Sequence, residues 1–280
     1  MSRTSRRNSM PFRLPGGTAG DRLSLGLAAY LVLALVLGGA SRDNALRLAV
    51  LELAALPLLG MAALRLWDQG LWKAHRFALV IAAACVAVPL LQLIPLPPGL
   101  WQALPGREQP ALALEVAGLA PGWTPYSLTP DMTMRSLLAL LPPLAVFLAV
   151  LAAPRDGVKG MGRLLLGLTA ASLALAAVQL GSGAQAFYPW QVTDPGDVVG
   201  FFANRNHLAT LCLVALPFCA LMTGRALRRG PEARSAVGLW SLLGAVILVA
   251  LVAIQSRMGV VLALPMLVAS VLVGRMAAGR

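Results

Sequence analysis

The chain has 280 residues, of which 58% are hydrophobic and only 12% charged, with Lys+Arg 23 against Asp+Glu 11. An average soluble domain carries about 25% charge, so one soluble core of this size would lack the polar residues to cover its surface, and a disordered chain is excluded by the hydrophobicity. A net charge of +12 would suggest nucleic acid in a soluble protein. Here the basic residues stand in short clusters between apolar runs, the pattern of loops held at an anionic leaflet, and no nucleic-acid-binding motif is present.

Taken in order, the apolar runs predict an all-α polytopic membrane helix bundle of about eight spans. They are roughly residues 23–40, 45–66, 77–96, 134–153, 164–180, 207–223, 237–255 and 258–273. Residues 1–22 form a basic tail and residues 23–280 the transmembrane domain. Period-two alternation is missing, which argues against a membrane β-barrel. Gly38-Gly39-Ala40 has the small-x-small form of a signal cleavage site, but the preceding run exceeds the usual length of about 7–15 residues, so the first span is expected to be retained.

Of the 23 Lys and Arg, 17 fall in the N-terminal tail, the even-numbered loops and the C-terminal end. The other 6 are Arg42, Arg47, Arg107, Arg135, Arg205 and Arg257. That asymmetry puts both termini in the cytoplasm.

Two outward loops, about 97–133 and 181–205, are longer than turns. The first carries Trp101, Trp123 and Tyr126, suited to headgroup depth, and a short interfacial helix is expected over residues 108–120. It ends at Ser127-Leu-Thr-Pro-Asp131. There Thr129 suits a cap, Pro130 the first helical position and Asp131 the positive helix end. The second loop carries Tyr188, Trp190, Asp194 and Asp197; its aspartates either take a proton from a sugar hydroxyl or solvate the loop.

Two stretches concentrate the chemistry. Gly200–Ala209 reads GFFANRNHLA where an outward loop becomes a span. Asn204 or Asn206 can cap that helix, and its amide-rich N-terminus favours an anion. Arg205 adds a planar, permanently charged fork suited to phosphate. Ala253–Gly259 reads AIQSRMG between two spans with almost no loop, which places Arg257 at or just below the outer surface; an anion or a water-filled cavity would offset the cost of its burial. The two stretches share one membrane side and together outline a clamp for a diphosphate, the charge stabilisation a pyrophosphate leaving group needs. Both arginines can equally be read as snorkelling side chains. His207 is either a general base or a polar residue of a first helical turn. Arg135 either joins the clamp or snorkels. Glu52, in the second span with Arg47, either serves function or pairs with an Arg of another helix.

Cys85, Cys212 and Cys219 lie in apolar runs without metal or disulfide spacing and read as packing residues. No Walker loop, GxGxxG, HExxH or GxSxG is present, so a donor already activated and held in the membrane fits best, with no cofactor or metal. A small-solute transporter is the rival class; Pro89, Pro142-Pro143, Pro217 and Pro265 fit its broken helices, but no internal repeat is visible.

Gly200–Ala209 resembles the G-x-F-x-N-x-N-x-x-A signature of the O-antigen ligase and O-antigen/exopolysaccharide polymerase family of bacterial membrane proteins. Ser256-Arg257-x-Gly259 is similar to that family's S-R-G motif, with Met258 where a Gly usually follows the Arg. Gln92-Leu-Ile-Pro-Leu-Pro97 with Trp101, and Ser127–Pro130 opening a span, are also similar to many members. The resemblance covers roughly residues 92–273. It implies an inverting, metal-independent glycosyltransferase at the periplasmic face of the inner membrane. The donor would be an undecaprenyl-pyrophosphate-linked glycan and the acceptor a lipid A core or a second glycan. It implies Arg205 and Arg257 as pyrophosphate ligands beside Asn204, Asn206 and Ser256. Family members usually continue into a large external loop that supplies the proposed catalytic His, whereas this sequence stops at Arg280. The resemblance therefore implies a donor-site half here and a catalytic half elsewhere, including the reading of a non-catalytic subunit with a second membrane partner.

Overall fold

The computed structural model describes residues 19–40, 45–182, 187–192 and 196–279. Asp194 and Arg42, weighed above, lie outside them. The chain divides into two compact units: residues 45–152, and the segments through residue 44 and from residue 153 onward. Among the described residues, seven helical segments are long and apolar enough to cross a membrane, Pro130–Ala152 counting as one of them although a turn at residues 139–140 interrupts it, and an eighth, Arg76–Gln92, is a shorter apolar helix. The protein is an all-α polytopic bundle.

In the 45–152 unit, α2 (Ala45–Asp68) is followed by the single turn α3 (Leu71–Ala74) and by α4 (Arg76–Gln92). Helix α4 ends before the predicted span does, because the residues preceding Pro95, Pro97 and Pro98 are pushed out of the α region. The chain instead forms β1 (Pro95–Leu96), which pairs antiparallel with β2 (Thr124–Pro125) in the register Pro95↔Pro125. Between them lie α5 (Pro98–Trp101) and α6 (Glu108–Val116), the short helix expected in this loop. Two buried side chains hold the loop closed. Trp101 Nε1 donates to Gly122 O at 2.9 Å, and Arg107, 4% exposed, donates to the carbonyls of Pro125 and Tyr126. Arg107 therefore bonds to the loop backbone rather than standing free as an outward charge.

The predicted span 134–153 is two helices, α7 (Pro130–Leu138) and α8 (Leu141–Ala152). Pro142 and Pro143 offer no N–H to the preceding turn, so the helix breaks there. Thr129, Pro130 and Asp131 stand at the expected positions, but Thr129 makes no side-chain cap; Ser127 Oγ accepts from Thr129 N instead, at 3.1 Å. Helix α2 packs on α8 through Ala55, Leu58 and Ala62 on one and Ala145 and Ala149 on the other, all buried. The four alanines among them are small enough to let membrane helices approach closely. Arg65 Nε donates to Ala152 O at 2.8 Å, satisfying a carbonyl at the end of α8. Arg47 is exposed and Glu52 half-buried, both on α2.

The other unit is built from α1 (Ala19–Leu37), α9 (Arg155–Ser182), α10 (Arg205–Arg228), α11 (Arg234–Ala253) and α12 (Arg257–Ala278). Helix α10 is its axis, with Leu208, Cys212, Ala215, Leu216 and Cys219 in the apolar core beside Leu166, Ile247 and Leu251. Helices α10 and α12 run parallel and touch at both ends. A Cβ on Gly259 would meet Ala209 Cβ at 3.0 Å, and one on Gly224 would meet Ala277 Cβ at 2.9 Å. Helix α11 returns the chain between them, and the turn into α12 is so tight that Gln255 takes φ 54°.

Candidate functional site

The parallel packing of α10 and α12 brings their N-termini together. Asn204 is extended (φ −133°, ψ 129°) and caps α10, its Oδ1 accepting from Asn206 N at 2.8 Å. Ser256 caps α12 in the same manner, its Oγ accepting from Gly259 N at 3.1 Å. That hydroxyl also donates to Asn206 Oδ1 at 2.8 Å, across 50 residues of sequence. One hydrogen bond thus ties the two caps, and Arg205 and Arg257 are the first residues of the two helices. Each N-terminus carries roughly half a positive charge from its aligned peptides, so two adjacent ends and two guanidinium groups make this corner of the bundle electropositive.

The loop leading into α10 is shaped from beneath by α9. Gln179 is fully buried. Its Oε1 accepts from Val199 N at 3.0 Å and Gly200 N at 2.8 Å. Its Nε2 donates to Gly200 O at 3.0 Å and Phe187 O at 3.2 Å. Two turns earlier on the same face, Ser172 Oγ accepts from Phe201 N at 3.3 Å. Gly200 takes φ 59° against Ser172. Beyond the loop, Trp190 Nε1 donates to Phe201 O at 2.7 Å and Ala203 N donates to Gly39 O at 2.8 Å. Backbone geometry around GFFANRNHLA is therefore set by four residues outside the motif: Gly39, Ser172, Gln179 and Trp190. The sequence does carry one signal for two of them: Ser172 and Gln179 are polar and seven residues apart in an otherwise apolar run, so they share one helix face.

The sequence-derived residues fall out as follows. Arg205 pairs with Asp197 at 3.2 Å, the two side chains 38% and 22% exposed. Asp197 is thus the counter-charge of Arg205, a role neither sequence reading assigned to it, and an incoming anion must share or displace it. Arg257 is exposed and, among the described residues, has no carboxylate partner. Ser256 is 1% exposed and its hydroxyl is spent on the cap and on Asn206, so it holds the helix ends rather than offering a free hydroxyl. His207 is exposed and meets Phe202 edge-on at 6.0 Å. Arg135 lies exposed on α7, in the 45–152 unit.

An apolar groove of about 420 Å³ runs between α9 and α11, lined by Leu173, Ala176, Leu180, Ala250 and, at its end nearest the paired caps, Val198 and Ile254. The arrangement can hold an anionic group at two helix ends beside an apolar slot. No protein-family model matches the chain, and no curated protein and no solved structure matches it.

Replacing Ser256 by alanine removes the α12 cap and the tie to Asn206 together. A cap is worth about 1 kcal/mol and a buried hydrogen bond about 1 kcal/mol more. The expected loss is therefore about 2 kcal/mol in equilibrium unfolding in detergent, with Ser256→Thr recovering most of it. Equal stability of Ser256→Ala and the parent would remove the tie from this account.

Proposed function

We propose that the paired N-termini of α10 and α12 bind the diphosphate of a polyprenyl-linked glycan, and that the protein takes part in transferring that glycan to an acceptor sugar, as in O-antigen ligation or polysaccharide polymerisation. The observation that carries the reading is the Asn206–Ser256 hydrogen bond. It joins the two motifs whose sequences resemble the O-antigen ligase and polymerase family, although 50 residues separate them. Arg205 and Arg257 supply the permanent charge, the free amides at the helix ends supply directed donors, and the α9–α11 groove offers an apolar slot for the carrier chain. Attack of an acceptor hydroxyl on the anomeric carbon breaks the bond to the diphosphate. Charge then grows on the leaving oxygen, where cationic groups fixed in advance lower the barrier. His207 stands one residue beyond Asn206 and is the proposed proton acceptor. The Lys/Arg asymmetry of the loops supports a periplasmic placement of this corner in a bacterial inner membrane.

The test replaces Arg205 and Arg257 by Ala, singly and together, and by Lys, and measures the length and amount of glycan product in cells alongside binding of a polyprenyl-diphosphate to the purified chain. A charged hydrogen bond contributes about 1.5–3 kcal/mol, so each alanine is expected to weaken donor binding by at least tenfold and the pair by about a hundredfold, with Lys intermediate. Undiminished binding by a stably expressed double variant would falsify the clamp. Lost product with intact donor binding in a His207→Ala variant would place the histidine in chemistry. Donor binding by the parent without any product in the presence of acceptor would assign the chain as the donor-holding subunit of a larger enzyme.

A further inference from the structure

At the end of the bundle opposite the paired caps, a second site faces the other way. A cavity of about 630 Å³ is lined by Lys159 and Arg163 of α9 and by Arg225, Arg228 and Arg229 at the end of α10, with Trp240 of α11 as an apolar wall. Its volume lies in the range of ligand-binding clefts. Five cations converge on it. Lys159 is shared with Asp156 at 2.7 Å; the four arginines have no carboxylate partner among the described residues. Membrane orientation requires only that basic residues be present in a loop. It does not require that two helices aim them into one concavity. The spacing does that: Lys159 and Arg163 are four residues apart on α9, and Arg225, Arg228 and Arg229 lie within one turn of α10, so each set shares a face.

Trp240 also walls a second cavity, an apolar groove of about 400 Å³ between α10, α11 and α12, lined by Leu216, Leu248 and Val271, with Arg275 also in its lining. Its lining runs inward from the basic end of each helix, from Leu227 to Leu216 on α10, from Trp240 to Leu248 on α11 and from Arg275 to Leu267 on α12. A cationic cup at the helix ends that meets a half-bilayer-deep apolar slot at an amphipathic Trp has the chemistry of one lipid, head and tail. We infer that this cup binds an anionic phospholipid of the adjoining leaflet, one whose headgroup carries two phosphates, with an acyl chain in the groove beyond Trp240. Five cations exceed what a single phosphate can neutralise, and basic pockets between transmembrane helices are suited to such headgroups. The site stands independently of the donor reading.

The full chain, stripped of lipid in detergent, is titrated with cardiolipin and with phosphatidylcholine and followed by native mass spectrometry. The parent is expected to retain one cardiolipin with at least tenfold preference. Arg163→Gln with Arg228→Gln should lower cardiolipin affinity by about tenfold or more. Arg155→Gln with Arg234→Gln removes equal charge near the same end but outside the cup, and should leave affinity within about twofold. Trp240→Ala should weaken cardiolipin while leaving the basic lining in place. Equal losses in the two double variants would mean general surface charge and overturn the site, as would equal binding of phosphatidylcholine. Displacement of the lipid by millimolar inorganic pyrophosphate would assign the cup to a soluble phosphate and overturn the lipid. Loss of glycan product with unchanged cardiolipin binding would bear on the donor reading alone.

Discussion

Gly200→Ala is expected to be among the most damaging single-methyl changes in the chain. Gly200 sits at φ 59°, and a Cβ there would fall against Ser172 Oγ and within 2.8 Å of the Ser172 carbonyl oxygen. Two costs add. Left-handed backbone costs an L-residue about 1–2 kcal/mol, and forcing a methyl into packed backbone costs about 1–3 kcal/mol. The obstacle is partly the α9 main chain, which cannot swing aside as a side-chain tip can. Gly118 provides the control: it has φ 67° and open space around its Cβ direction, so Gly118→Ala carries the backbone cost alone. Thermal unfolding in detergent should therefore fall markedly further for Gly200→Ala than for Gly118→Ala. Because Gly200 opens the motif that leads to Asn204 and Arg205, the first substitution should also abolish donor binding while the second preserves it. Similar behaviour of the two would show that the approach to Ser172 is not the constraint.

Gln179→Leu tests the same loop from the other side. The leucine keeps the volume but strands Val199 N, Gly200 N, Gly200 O and Phe187 O, all now bonded to the amide. A buried polar group left without a partner costs about 1–3 kcal/mol. Some of these groups will relax toward water, so a total of about 3–6 kcal/mol is expected. Hydrogen exchange should show it locally, with the amides of Val199 and Gly200 losing protection while those in the middle of α10 keep theirs. Gln179→Glu retains acceptors for the two amides but sets a carboxylate against two carbonyl oxygens, and should be no better than leucine. Intact protection of residues 199 and 200 in the leucine variant would mean that the loop holds itself.

Much of this molecule was readable from pattern. A run of apolar residues with few charges has one solution in a bilayer, a helix that satisfies its own backbone, and the described helices fall close to the predicted spans. Helix ends were readable where a cap, a proline or a dipole-matched charge stood in sequence, as at Asn204 and at Pro130-Asp131, whereas the cap expected of Thr129 is not made and that of Ser256 was not foreseen. Chain breaks were less so. Pro142-Pro143 divides a span into α7 and α8, whereas Pro217 and Pro265 remain inside continuous helices, and the sequence has no means of distinguishing a proline that breaks a helix from one that is absorbed.

The partners of the polar residues lay further out of reach. Asp197 read as a loop residue because nothing local shows that the chain returns it to Arg205. Arg107 read as one more outward charge because its acceptors, the carbonyls of Pro125 and Tyr126, are about 20 residues away. Gln179 stood out only as a polar residue in an apolar run.

By itself the sequence determined the class of the protein, most of its helices and one capped helix start, at Asn204 or Asn206, since all of these follow from hydrophobic runs and from contacts within a turn. Only tertiary structure decided that the starts of α10 and α12 meet, that α9 shapes the loop leading into α10, and that five cations at the far end share one cup. The physical reason is that helix formation in an apolar medium is a local matter of backbone hydrogen bonding. Which helices touch is set by where small residues such as Gly224 and Gly259 allow close approach, and by which buried polar groups find one another across dozens of residues.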